Sequence, residues 1–320
     1  MWTPWLFLAL FIAASVVMIW RLEHMTEMGV GGTVLGTLVM PYCSGLPNLT
    51  FVFVVARAGG SMNEVLVNGL VNNVTNLTLL VGVPALIWGM KIMPERLGAK
   101  RRECDPTPQV NRLALLLTLA AALFFTGALW ALGRDGEVAF YDGLILIGLF
   151  LFWQCYHVFE VLKVNARQNK SFPWLIVVDL AILIASAWAI YVSTDWLVAW
   201  VLKKQTGLIS AKYLGWLSGW LMVLPNALLA LYYGWQRRPE VVYSSQVGDG
   251  HICIPLCIGL AAWHETYPLP AFFVPGVTIL IGVTLIHLAL VTVLGRLPRV
   301  MGLALVGVYG WFLYRGLLPG

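Results

Sequence analysis

Asn68, Asn72 and Asn76 recur every four residues and so share one helical face, with Asn73 beside it. The same spacing carries Ser245, Asp249 and Cys253, each 177 residues after its counterpart. A Leu-Pro-Asn triplet precedes each stripe, in "SGLPNLT" at 44–50 and "VLPNALL" at 223–229, within otherwise apolar stretches. Amide, hydroxyl and carboxylate oxygens gathered this way can stand in for the hydration shell of a small cation. Asp249 is the only carboxylate of the set, and a carboxylate at membrane depth costs roughly 3 kcal/mol on insertion scales and marks a pathway or a partner site. A single polar stripe also serves as interhelical glue. Two stripes, symmetrically placed beside two proline triplets, point instead to a translocation or binding cavity.

The elements that must position these residues are read from composition. Of 320 residues 60% are hydrophobic and 11% charged, with a mean hydropathy of +0.82, against about 25% charged in soluble domains. A single soluble fold is excluded. Ten spans are predicted, at about 4–20, 30–56, 62–90, 113–133, 139–159, 173–194, 208–234, 241–263, 272–293 and 299–317. The first is a span and not a signal peptide, because it has no basic leader and stays apolar up to Arg21. Pro47 lacks an amide hydrogen and clashes with the preceding turn, which predicts a break near 43–48 in the second span. A matching break is expected at the second triplet. Irregular backbone survives in lipid only where it is buried or lines a cavity, so two such breaks would meet at the centre.

Counting Lys and Arg with the N-terminus outside puts 14 of 20 on the cytoplasmic side, among them Lys91, Arg237, Arg238, Arg296 and Arg299. The positive-inside rule then places both termini outside, in a plasma or inner membrane. The halves repeat: "GLPNLTFVFV" is answered by "VLPNALLALY", and "GLILIG" (143–148) by "GLALVG" (302–307). The predicted organisation is a first five-helix repeat at 1–159, a short cytoplasmic linker at 160–172 and a second repeat at 173–320, with polar motifs at 43–82 and 221–260. An odd number of spans per unit makes the copies inverted, a layout that places a site near the bilayer midplane.

The motifs resemble those of the calcium/cation antiporter superfamily, the sodium/calcium exchanger type. That family's repeat runs roughly G-T/S-S-L-P-E and then G-N-x-x-G-S-N-x-x-N/D; here the first copy reads "CSGLPN" and "VNGLVNNVTN", the second "LMVLPN" and "SSQVGDGHIC". The helix "YDGLILIGLFLFWQCY" is similar to the family's fifth span. The resemblance implies an all-α membrane fold and a cation site drawn from Ser44, Asn48, Asn68, Asn72, Asn76, Asn226, Ser245 and Asp249. Asn48, Asn76, Asn226 and Asp249 would be its direct ligands. It also exposes departures. The family's two acidic ligands correspond to Asn48 and Asn226, its last Asn/Asp is replaced by Cys253, and Met222 and Val223 offer no ligand. Calcium takes six to eight oxygens, several of them carboxylate, so weak or absent calcium exchange is expected. The charge suits a monovalent cation or a proton.

Two functions follow. One is a secondary cation antiporter with altered ion preference, its only cofactor-like species the transported Na+, H+ or Ca2+. The other is a transport-inactive relative with a binding or structural role. Partners are membrane lipid and small cations, with a homo-oligomer left open, and no nucleic acid, since the basic residues flank spans. An aspartyl-protease reading of Asp142 and Asp249 fails because position 246 is Gln where that motif needs Gly. Serine chemistry lacks a nearby histidine, and no enzymatic activity is assigned. The five cysteines form no CxxC pair. Asp179 is either a proton relay or paired with a neighbouring helix; Asp142, Glu160 and Glu64 are read as interfacial.

Overall fold

A computed structural model describes residues 3–27, 40–92, 107–165 and 175–317. Among these, ten helical stretches occupy the ten predicted spans: α1 (Thr3–Glu27), α2 (Met40–Ala58), α3 (Asn63–Trp88), α4 (Thr107–Leu132) and α5 (Phe140–Asn165), then α6 (Leu175–Leu202), α7 (Leu214–Trp235), α8 (residues 239–264), α9 (Phe273–Val293) and α10 (Arg299–Leu317). Seven are long and apolar enough by themselves to cross a membrane. The start of the second predicted span, before Met40, and the predicted linker over 166–172 lie outside the described residues. The protein is an all-α polytopic membrane protein.

The expected proline breaks are absent. α2 runs helically through Pro47 and α7 through Pro225. A proline removes one intrahelical bond, whereas a full break in lipid would strip several backbone groups of partners. The irregular backbone falls one helix later. α3 carries a π turn at Asn76–Leu80 and α8 one at Cys253–Ile258, and these start 177 residues apart. A π turn disturbs the i→i−4 ladder, and the neighbours supply partners for carbonyls there. His287 Nε2 bonds the Leu77 carbonyl at 2.9 Å, and the Tyr267 hydroxyl donates to the Ile258 carbonyl at 3.3 Å.

Helix contacts come in exchanged pairs. α3 packs on α7, α9 and α10; α8 packs on α2, α4 and α5; α1 packs on α6 and α4 on α9. Exchanging each helix with the one five places on maps this set onto itself. Two backbone-to-backbone approaches illustrate it. A Cβ at Gly302 would lie 2.7 Å from the Gly82 carbonyl, and one at Gly143 2.7 Å from that of Gly259. Only glycine allows helices this close, as at small-residue membrane interfaces. Two-residue ladders repeat the pattern: β1 (Met90–Lys91) pairs antiparallel with β4 (Arg296–Leu297), and β2 (Glu137–Val138) with β3 (Tyr267–Pro268).

α3 is enclosed on nearly every side; Val65, Leu66, Leu70, Val71, Val74 and Val81 are all buried. α1 and α6 instead present Trp5, Leu6, Trp20, Ile184 and Trp188 outward, as lipid-facing helices do. Of the alternatives for Asp179, the ion pair is the one found, with Arg21 of α1 at 3.5 Å. Asp142 accepts from the Ala139 amide at the start of α5, and Glu64 from the Gly215 amide. Both thus lie at helix ends, while the side chain of Glu160 is outside the described set.

Candidate functional site

The two polar stripes and the two Leu-Pro-Asn triplets converge. Asn48 on α2 and Asn226 on α7 each follow the proline of their triplet; Asn48 meets α3 through Asn72, and Asn226 meets α8 through Asp249. Asn72 and Asn76 stand one turn apart on α3, so their side chains meet along the axis: Asn76 Nδ2 donates to Asn72 Oδ1 at 2.8 Å. Asn72 Nδ2 continues the chain to Asn48 Oδ1 at 3.2 Å. In the other direction Asn76 Nδ2 donates to Asp249 Oδ2 at 3.1 Å, and Asn226 Nδ2 to the same oxygen at 3.3 Å. Five side chains from four helices thus form one continuous network, each at most 2% exposed. These include all four residues expected as direct ligands.

The remaining expectations fare differently. Asn68 lies one turn down α3 and donates to Ser218 Oγ at 3.0 Å, outside the five-residue chain. Ser245 bonds the Val242 carbonyl and accepts from Gln246 Nε2, which also reaches the Asn226 carbonyl at 3.3 Å. It therefore touches the cluster only through Gln246. Asn73 turns back on its own helix, to the Gly69 carbonyl at 2.7 Å. Ser44 falls on α2, but its side chain is outside the described set.

Gln246 and Ser218 were not singled out from the sequence, although the spacing was there. Gln246 precedes Asp249 by three residues, and Ser218 precedes Asn226 by eight, so each shares a helical face with a residue already chosen. His287 and Tyr243, whose hydroxyl and Nδ1 lie 3.0 Å apart, left no such trace.

Electrostatically the cluster is unfinished. Asp249 is fully buried, yet its Oδ1 has no hydrogen-bond partner, and neither do Asn76 Oδ1 and Gln246 Oε1. Three acceptor oxygens and one donor, Asn48 Nδ2, thus lack hydrogen-bond partners in this buried network. Among the described residues no arginine or lysine pairs with Asp249; the ion pairs Arg21–Asp179 and Arg57–Asp195 lie elsewhere. A buried carboxylate needs a cation, a proton or several donors to offset its desolvation. Among the described residues no group of three His, Cys, Asp or Glu side chains converges, so the oxygens on offer are mostly amide.

Two cavities flank this level between α1 and α7. One, of 370 Å3, is lined by Trp5, Leu8, Ser218 and Met222; the other, of 560 Å3, by Ile19, Trp20, Pro225 and Leu229. On α7, Met222 lines the first and Pro225 the second.

Comparison with known proteins gives consistent results. Residues 1–159 match the family model described as sodium/calcium exchanger protein. No curated protein matches the chain. Among solved structures, it is similar to the sodium-calcium exchanger NCX_Mj soaked with 2.5 mM Na+ and 1 mM Sr2+, at 18% identity and a TM-score of 0.65 over 99% of this chain and 97% of that one. NCX_Mj soaked with 100 mM Na+ and 10 mM Sr2+ gives 18% and 0.65 over 98% and 97%. With zero Na+ and Ca2+ it gives 19% and 0.62 over 96% and 94%. At this identity the likeness is one of fold.

Proposed function

From residues 1–159, which belong to the sodium/calcium exchanger family, and from a fold shared end to end with a sodium-calcium exchanger, we propose that the protein is a secondary cation antiporter working by alternating access. Its cargo is a monovalent cation or a proton in preference to calcium. The observation that carries this is the unpartnered Oδ1 of a fully buried Asp249 beside two further unpartnered acceptor oxygens. One formal charge with amide oxygens balances one positive charge. A dehydrated divalent ion would leave a second charge uncompensated in a medium where Coulomb terms are large.

Alternating access draws support from the two cavities, one at Met222 and one at Pro225 of α7, each bordered by a different end of α1. We read the chain as two inverted repeats, 1–159 and 173–320, joined by 160–172, with both termini outside a plasma or inner membrane. The exchanged contacts and the π turns 177 residues apart support that division. Ser44, Asn48, Asn68, Asn72, Asn76, Asn226, Ser245 and Asp249 are proposed to line the path, with Asn48, Asn76, Asn226 and Asp249 touching the ion. A transport-inactive role is favoured by one feature, the run of amide hydrogen bonds Asn76–Asn72–Asn48, which ties α2 to α3 without an ion.

The test is to add carboxylates where the network places amides. Asn48→Glu with Asn226→Glu raises the charge of the cluster by two and should create calcium binding detectable by isothermal titration in detergent. A double variant that folds and gains none argues against a cation-shaped hollow.

A further inference from the structure

Where β1 meets β4, a cavity of 610 Å3 is lined by Lys91, Arg237, Arg296 and Arg299, with no carboxylate among its described lining residues. The ladder sets Lys91 directly across from Arg296, and like charges in that position destabilise an antiparallel pair. Arg237 closes the turn between α7 and α8 at φ 57°, the only non-glycine residue with positive φ among the described residues. Neither Arg237, Arg296 nor Arg299 forms an ion pair with a described residue. α8 and α10 begin here, at Pro239 and Arg299, and the N-terminal ends of their dipoles add partial positive charge.

This concentration does not follow from the fold. The exchanged ladder, β2 with β3, has Glu137 at the place of Arg296 and Pro268 at the place of Lys91. Among the described residues, the four cations of this hollow have no like-charged counterparts at the exchanged ladder positions Glu137 and Pro268. Guanidinium forks match phosphate oxygens two at a time. Ile87 and Val300, next in sequence to the lining residues Trp88 and Arg299, and Leu303 one turn further along α10, are exposed and apolar, as a surface in contact with acyl chains would be.

We propose that this cavity binds a phosphate-bearing anion, presented as the headgroup of an anionic phospholipid, with Arg237, Arg296 and Arg299 holding the phosphate. The inference is independent of ion transport. Its test is lipid titration of the full chain in neutral detergent, read by native mass spectrometry, with phosphatidylglycerol, phosphatidylcholine and inorganic phosphate as probes. Phosphatidylglycerol should bind the combined variant Arg237→Gln, Arg296→Gln, Arg299→Gln about a hundredfold more weakly than the unaltered chain, the summed effect of three interfacial charges. A control removing equal charge, Lys203→Gln, Lys204→Gln, Lys212→Gln, should bind as the unaltered chain does, and phosphatidylcholine should not distinguish the three. Should the triple variant not fold, Arg296→Gln alone relieves the cross-strand repulsion and should weaken binding about fivefold. Displacement of the lipid by millimolar inorganic phosphate would support the phosphate chemistry with a soluble source. Equal phosphatidylglycerol affinity in the variants and the unaltered chain would overturn the proposal.

Discussion

Replacing Asp249 with asparagine keeps the shape of the side chain and removes the only formal charge of the cluster. An amide oxygen in the place of Oδ2 retains the bonds from Asn76 at 3.1 Å and Asn226 at 3.3 Å. The new amide nitrogen falls where Oδ1 has no partner, in a neighbourhood where Asn76 Oδ1 and Gln246 Oε1 are unpaired acceptors. A unit cation about 4 Å from the carboxylate, at an effective dielectric of about 20, gains about 4 kcal/mol. Losing it weakens binding about a thousandfold. The assay is thermal unfolding in detergent, raising Na+ or K+ against choline at constant ionic strength. Ligand at a hundred times its dissociation constant stabilises the folded state by about 2.7 kcal/mol; the same concentration should stabilise Asp249→Asn by less than about 0.1 kcal/mol. With choline alone the variant should be the more stable protein, since it no longer buries an uncompensated charge. Equal cation dependence in the two proteins, with the variant less stable in choline, would refute the reasoning.

The remaining predictions concern the frame. Gly302→Ala would put a methyl 2.6 Å from the Leu86 amide nitrogen, and Gly143→Ala one 3.0 Å from that of Trp263. Each should lower stability by about 1–3 kcal/mol, whereas Gly127→Ala, with nothing within 4 Å, should not; thermal unfolding of the three in one detergent decides. His287→Phe keeps the ring but leaves the Leu77 carbonyl and the Tyr243 hydroxyl without their partners. It should cost about 1–3 kcal/mol for each orphaned group, and a melting temperature equal to that of the unaltered chain would show the π turn needs no such support.

Much of the site was legible because membrane helices make spacing informative. Asn68, Asn72 and Asn76 had to share a face, the offset to Asp249 was countable and the Leu-Pro-Asn triplet repeats, so all five network residues follow from periodicity and repetition. The proline breaks were misjudged for a physical reason. Proline's cost was assigned to the whole local helix, when it is confined to one lost bond that packing tolerates. The π turns have no side-chain signature, since they arise from a single shift of hydrogen-bond register. His287 was out of reach for another reason. Its partner carbonyl on Leu77 is 210 residues away, and only tertiary packing brings them together. Asp179 needed the same information, because its two readings differ only in whether Arg21 stands opposite.

The most direct measurement is flux of sodium, potassium, protons and calcium in proteoliposomes, using radiotracers and entrapped dyes, for the unaltered chain and Asp249→Asn. A site with one carboxylate among amides should give saturable exchange of a monovalent cation or protons, abolished in the variant, with no saturable calcium exchange in either. Calcium exchange as fast as that of the monovalent ions, or monovalent flux undiminished in Asp249→Asn, would contradict the account.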